Sequence, residues 1–164
     1  MKSQKVATYG LFVALAFILS YIESLIPMPV PIPGIKIGLA NLVVIAGLYT
    51  MGPKEAFSLS IVRIILIGFT FGNLSTMIYS LAGGLLSCIL MIFISKFKIF
   101  SIIGVSIIGG VSHNMGQILV AMVVVQSSFL FYYLPFLLIA GTISGTVIGI
   151  IGANIVERIK KIRV

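Results

Sequence analysis

His113, Asn114 and Gln117 stand almost together in one apolar stretch, and a lone Arg63 stands in another, Ala56-Phe-Ser-Leu-Ser-Ile-Val-Arg63-Ile-Ile-Leu-Ile-Gly68. A guanidinium carries a permanent charge and five donors in a fixed fork, which suits capture of an anionic group. A charge at bilayer depth is costly and as a rule faces a bundle interior or a wet cavity, so Arg63 is read as a binding residue. The plainer alternative is an arginine that caps a helix or snorkels to the surface. His113 and Gln117 are four apart and share a helix face, with Asn114 turned about 100° from His113. Here too a plain role competes, because buried amides and imidazoles also serve as hydrogen-bonding glue between membrane helices.

The elements that must position these groups are membrane helices. The chain has 164 residues, 60% hydrophobic and 9% charged, with a mean hydropathy of +1.26. Its long uncharged runs point to repeated bilayer crossings within a single integral membrane domain, 1–164. The formal charge of +8 would suit nucleic acid if it were clustered on one face. Instead the basic residues bracket the apolar runs, as topology signals do, so the expected partner is the lipid bilayer and no nucleic acid. Lys2 and Lys5 precede an apolar run without a small-residue cleavage site, so that run is expected to stay as the first helix.

About 20 apolar residues cross a bilayer. On that measure the expected spans are 6–26, 37–51, 54–69, 73–95, 100–126 and 130–156. Breaks fall at the proline-rich link 27–34, at Gly52-Pro53, at Gly72-Asn73, at Lys96-Phe-Lys98 and at Gln126-Ser-Ser128. The fold class is therefore all-α, a polytopic bundle of six transmembrane helices. Placing the N-terminus inside puts Lys2, Lys5, Lys54, Lys96, Lys98, Arg158, Lys160, Lys161 and Arg163 on the cytoplasmic side and only Lys36 outside, so both termini are expected to be cytoplasmic.

On this topology Glu23, Lys36, Asn41, Asn73, His113, Asn114 and Gln117 gather in the outer half with Arg63 nearby, and the proline-rich link lies over them. That is the layout of a pocket open to the outside. Gly141, Gly145 and Gly149 repeat at spacing four, which lets helices approach closely, more readily within the subunit than between chains. Ala7, Gly10 and Ala14 give the first helix a small-residue face.

Other chemistries lack their residues. There is no Gly-x-x-x-x-Gly-Lys-Ser/Thr loop for ATP phosphates. The acidic residues are Glu23, Glu55 and Glu157, with no aspartate to hold a magnesium–diphosphate. No ligand spacing for a catalytic metal is present, and the lone Cys88 forms no intrachain disulfide. The expectation is a protein that is not an enzyme and uses no cofactor.

The stretch Pro31-Ile-Pro-Gly-Ile-Lys36-Ile-Gly-Leu-Ala-Asn41-Leu, the short span with Arg63, and Ser112-His113-Asn114-Met-Gly-Gln117 resemble the small bacterial membrane proteins of the Gx transporter family. That family is also labelled heptaprenyl diphosphate synthase component I. The resemblance covers nearly the whole chain. It implies a six-helix fold like the substrate-binding S components of energy-coupling factor transporters. Such subunits take a nutrient from outside and associate with a membrane coupling protein and ATPase subunits. It also implies a docking role for the Ala7, Gly10, Ala14 face, where Gly10 departs from the usual alanine-spaced pattern. The leading expectation is a substrate-binding subunit at the cell membrane for a small nutrient, with an isoprenoid- or quinone-related precursor as one candidate. The alternatives are an accessory subunit of prenyl diphosphate or quinone metabolism without a catalytic site of its own, and a structural membrane scaffold.

Overall fold

The computed structural model describes residues 2–26, 38–97 and 99–162, with the side chains of Lys2 and Ile162 excepted. Its described elements are α1 (Lys2–Leu25), α2 (Asn41–Thr50), α3 (Pro53–Thr70), α4 (Leu74–Ser95), α5 (Ile102–Val125), a 3-10 turn (Ser128–Tyr133) and α6 (Leu134–Ile162). The described residues contain no strand. Four stretches are long and apolar enough to cross a membrane: Ser3–Leu25, Leu74–Ser95, Ile102–Val125 and Ser128–Lys161.

The breaks fall where the local chemistry places them. Gly52 has φ +119 and is followed by Pro53 at the first turn of α3, a position that needs no N–H donor. Asn73 caps α4 in a reciprocal capping box with Thr76, each side chain taking up the other's backbone N–H. Ser101 caps α5 by accepting from the Gly104 N–H at 3.1 Å. Gln126 ends α5 in the left-handed region at φ 52. The expected division at Gln126-Ser-Ser128 is therefore present, but the 3-10 turn delays α6 to Leu134, beyond the expected start at 130. The largest difference is α2. The expected crossing 37–51 contains a helix of only 10 residues, about 15 Å long and half of a ~30 Å hydrocarbon core.

The core follows the antiparallel order. At the end near the termini, Phe12 and Ala16 of α1 pack with Val43, Leu59 and Val156. Lys5 pairs with Glu55 there, and the Tyr9 hydroxyl meets Ser58 Oγ at 2.7 Å. At the opposite end Tyr79, Ile118, Ala121 and Leu137 form a second cluster. The glycine stripe of α6 packs inside the subunit, against α5. A Cβ on Gly145 would lie 2.7 Å from the Ile107 Cα, and one on Gly149 would lie 2.8 Å from the Ile103 Cα. Only hydrogen fits between these backbones. The Ala7, Gly10, Ala14 face is bare: all three are exposed, and a Cβ on Gly10 would meet nothing within 4 Å.

Candidate functional site

The short α2 sets the position of the site. Asn41, its first residue, and Arg63 lie equally far along the chain from Gly52, one down each arm of the α2–α3 hairpin. The two side chains therefore reach the same level, about 16 Å from the Gly52 turn at ~1.5 Å per residue. They meet: Arg63 Nη2 donates to Asn41 Oδ1 at 3.3 Å. Arg63 is only 6% exposed and points into the bundle. Its Nε is buried and has no hydrogen-bond partner among the described residues, although a buried donor normally finds one.

Glu23, 5% exposed near the end of α1, approaches the same place. Its Oε1 accepts from the Gly38 N–H and from the Leu39 N–H at 3.4 Å. Gly38 adopts φ +86, and a Cβ there would lie 2.9 Å from Asn41 Nδ2, so glycine is required on both counts. The Gly38 carbonyl in turn accepts from the Asn41 N–H at 2.8 Å. A continuous path of hydrogen bonds thus runs from the acid on α1, through the turn before α2, to the arginine on α3. The first N–H groups of α2 are used within that turn, with Leu42 bonding Leu39 at 3.1 Å and Val43 bonding Ala40 at 3.2 Å.

Beside this path lies a small cavity of about 30 Å³ within about 440 Å³ of unfilled space that includes its opening. It has room for one or two waters. Ser20 and Glu23 border it from α1, Arg63, Ile64 and Ile67 from α3, Thr76, Met77 and Ser80 from α4, and His113 from α5. Gly68 leaves room on one side for Met77, since a Cβ there would lie 2.6 Å from the Met77 sulfur, and Gly72 leaves room for the Thr76 hydroxyl, 2.9 Å from where its Cβ would be. The wall thus combines one arginine, one carboxylate, one imidazole and three hydroxyls with an apolar patch. That set can orient a small polar solute, and it offers no nucleophile–base–oxyanion geometry. Among the described residues no three His, Cys, Asp or Glu side chains converge to hold a metal.

The sequence-predicted residues divide. Arg63, Glu23 and His113 border the cavity, and Asn41 holds Arg63. Gln117 is buried one turn from His113, and both pack on Gly83 of α4, where a Cβ would lie 2.8 Å from Gln117 Cγ and 3.2 Å from His113 Nδ1. Asn114 turns to α6 and donates to the Leu137 carbonyl at 2.8 Å, a helix-to-helix tie away from the cavity. Asn73 is exposed, and its side chain accepts from the Thr76 N–H as a cap. Lys36 and the proline-rich link lie outside the described residues. Two hydroxyls in the wall were not expected, Ser20 and Ser80. Spacing could have found both, because Ser20 is three residues before Glu23 and Ser80 is four after Thr76.

The fold has a solved counterpart. A chain described under "Structure and mechanism of the S component of a bacterial ECF transporter" superposes with a TM-score of 0.67 at 18% identity, over 99% of this chain and 98% of that one. The two chains therefore share one fold. No curated protein matches by sequence. The family model for heptaprenyl diphosphate synthase component I matches residues 12–155, and the chain belongs to that family.

Proposed function

We propose that this chain is the substrate-binding membrane subunit of an uptake system, taking a small nutrient from outside into the cavity beside Arg63. The observation that carries the reading is the arginine itself: almost fully buried in an S-component fold, aimed at a polar cavity, with one donor unengaged. An intramembrane charge of this kind marks a binding site more often than a packing device.

In this reading all six helices stand in the cell membrane with both termini cytoplasmic. α2 is a half-length helix whose first turn lies at bilayer depth, where irregular backbone is tolerated when it lines a cavity. The basic ends of α1, α3, α4 and α6 then share the cytoplasmic side. The bare Ala7, Gly10, Ala14 face of α1 is where a membrane coupling protein with its ATPase subunits would dock. The family's description favours a second reading, an accessory subunit of prenyl diphosphate metabolism. In that case the bound molecule would be a lipid reached sideways from the bilayer.

Native mass spectrometry of the full chain, gently released from its membrane, tests the choice. A small polar solute retained by the wild type and lost in Arg63→Ala is the expected result. Retention of a prenyl lipid that is indifferent to Arg63→Ala would overturn it.

A further inference from the structure

A second concavity lies at the far end of α5, and its described lining shares no residue with that of the cavity at Arg63. α5 runs from Ile102 to Val125, 24 residues, or about 36 Å against a ~30 Å hydrocarbon core. A helix that starts at one face of the bilayer therefore reaches the other where Gln126-Ser-Ser128 closes it. The irregular backbone that follows belongs at that face too, because lipid-exposed hydrocarbon does not tolerate unpaired backbone groups. The 3-10 turn reads Ser128-Phe-Leu-Phe-Tyr-Tyr133 and buries none of its residues. With three residues per turn, Phe129 and Tyr132 fall in register, and their rings stack at 6.4 Å. Leu130 takes the other side and packs on the cluster of Tyr79, Ile118, Ala121 and Leu137. The turn is thus held to the bundle through a leucine and presents its rings outward, with Phe129 78% and Tyr132 81% exposed. At the headgroup level of a bilayer an aromatic body and a polar tip are both satisfied.

Between these rings and the end of α5 lies a shallow groove of about 560 Å³, within the roughly 300–1,000 Å³ of sites that hold small organic molecules. Met122 and Phe129 make part of it apolar, while Gln126, Ser127, Ser128 and Tyr132 bring amide and hydroxyl groups. The described lining residues carry no formal charge, and no Asp, Glu, Lys or Arg occurs from 99 to 156. Met122 and Gln126 flank Val123, Val124 and Val125, all exposed on a helix long and apolar enough to cross a membrane. The groove therefore continues the surface that the bilayer covers. We propose that it holds one phospholipid of the surrounding bilayer. An acyl chain lies on Met122 and Phe129, and the glycerol ester oxygens accept from the amide and hydroxyl donors of Gln126, Ser127, Ser128 and Tyr132. With no cation in its described wall, the groove takes the lipid whatever the charge of its headgroup. The bound lipid fixes the depth at which α5 passes to α6.

The chain contains no tryptophan, so Tyr132→Trp places a single indole at the groove. The full chain is reconstituted in vesicles of phosphatidylcholine and phosphatidylglycerol, with one or the other brominated in its acyl chains as a quencher. Both brominated lipids should quench the indole, with relative binding constants within about twofold of each other and unchanged between about 50 and 500 mM salt. Native mass spectrometry of the wild type released from equimolar nanodiscs of the two lipids supplies a separate readout. One phospholipid of either class should stay bound at high salt. The double variant Phe129→Ser with Tyr132→Ser should reduce that retention by about tenfold or more. Cys88, which is buried, should stay protected from thiol reagents in both proteins as evidence of an intact fold. Quenching confined to phosphatidylglycerol and abolished by salt would overturn the indifference to headgroup charge. An indole that neither lipid quenches, whether water or a second copy of the chain covers the turn, would overturn lipid as the occupant. Retention unchanged in the folded double variant would overturn the groove as the site.

Discussion

Replacing Asn41 with leucine removes the oxygen that holds Arg63 while keeping a side chain of similar size. The guanidinium then has neither Nη2 nor Nε engaged by the groups described here, and at 6% exposure it reaches water only through the small cavity. A hydrogen bond to a charged group contributes about 1.5–3 kcal/mol, and the 3.3 Å separation places this one toward the lower end, near 2 kcal/mol. For a chain of this length that corresponds to a fall in Tm of roughly 4–8 °C. The protein supplies its own probe: Cys88 is the one cysteine, and it is buried, so a dye that fluoresces on reacting with thiols follows unfolding directly. The double variant Asn41→Leu with Arg63→Met removes the stranded charge as well. It should recover to within about 1 kcal/mol of the wild type, because an apolar pair of similar volume often replaces a buried polar pair at little cost. If the double variant is no more stable than Asn41→Leu alone, or Asn41→Leu leaves Tm unchanged, Arg63 is not held as described.

Gly145→Val should destabilise by about 1–3 kcal/mol, because its Cβ would sit 2.7 Å from the Ile107 backbone, whereas Gly10→Val should leave Tm unchanged; the same thiol assay compares them. Gly38→Ala meets both the positive φ and the 2.9 Å approach to Asn41 Nδ2, so it should cost about 1–2 kcal/mol and weaken retention of the native ligand in mass spectrometry. At the terminus-bearing end, the hydrogen bond from Lys5 holds the Glu55 carboxyl below its ordinary value. A carboxyl whose pKa falls on folding stabilises the protein above its ordinary value and loses that contribution as pH drops through the lowered one. Lys5→Met should therefore lower Tm slightly at neutral pH and leave it unchanged in strong acid, which flattens this part of the acid limb of Tm against pH as measured by circular dichroism.

The all-helical character and most breaks among the described residues were legible because each break rests on local chemistry: Gly52-Pro53, the Asn73 cap, and the polar residues that close α5. Arg63 was legible for the same reason, since one charge in an apolar run has few places to go. The length of α2 was not. Hydropathy extends smoothly from Ile37 to Met51 and carries no sign that the helix begins only at Asn41, a choice made by the Gly38 turn and its bonds to Glu23. The fate of the amides was equally hidden. Asn114 and Gln117 are as polar as Asn41, and only the packing of α5 against α4 and α6 decides which one turns toward a neighbouring helix. The glycines of α6 carried the clearer message, because spacing four with no side chain describes one surface and one use.

The equal arms of the α2–α3 hairpin work as a ruler. Asn41 and Arg63 meet because each is measured from the same turn, so their encounter does not depend on the length of the link before α2 or on how α5 and α6 settle. One residue inserted in either arm would raise its polar group by 1.5 Å and swing it by 100°, out of the cavity and toward lipid or core. An insertion at Gly52 would displace both groups together and preserve the pair while changing its depth. Length changes in this hairpin are thus of two kinds, those that break the site and those that carry it intact to another level of the bilayer.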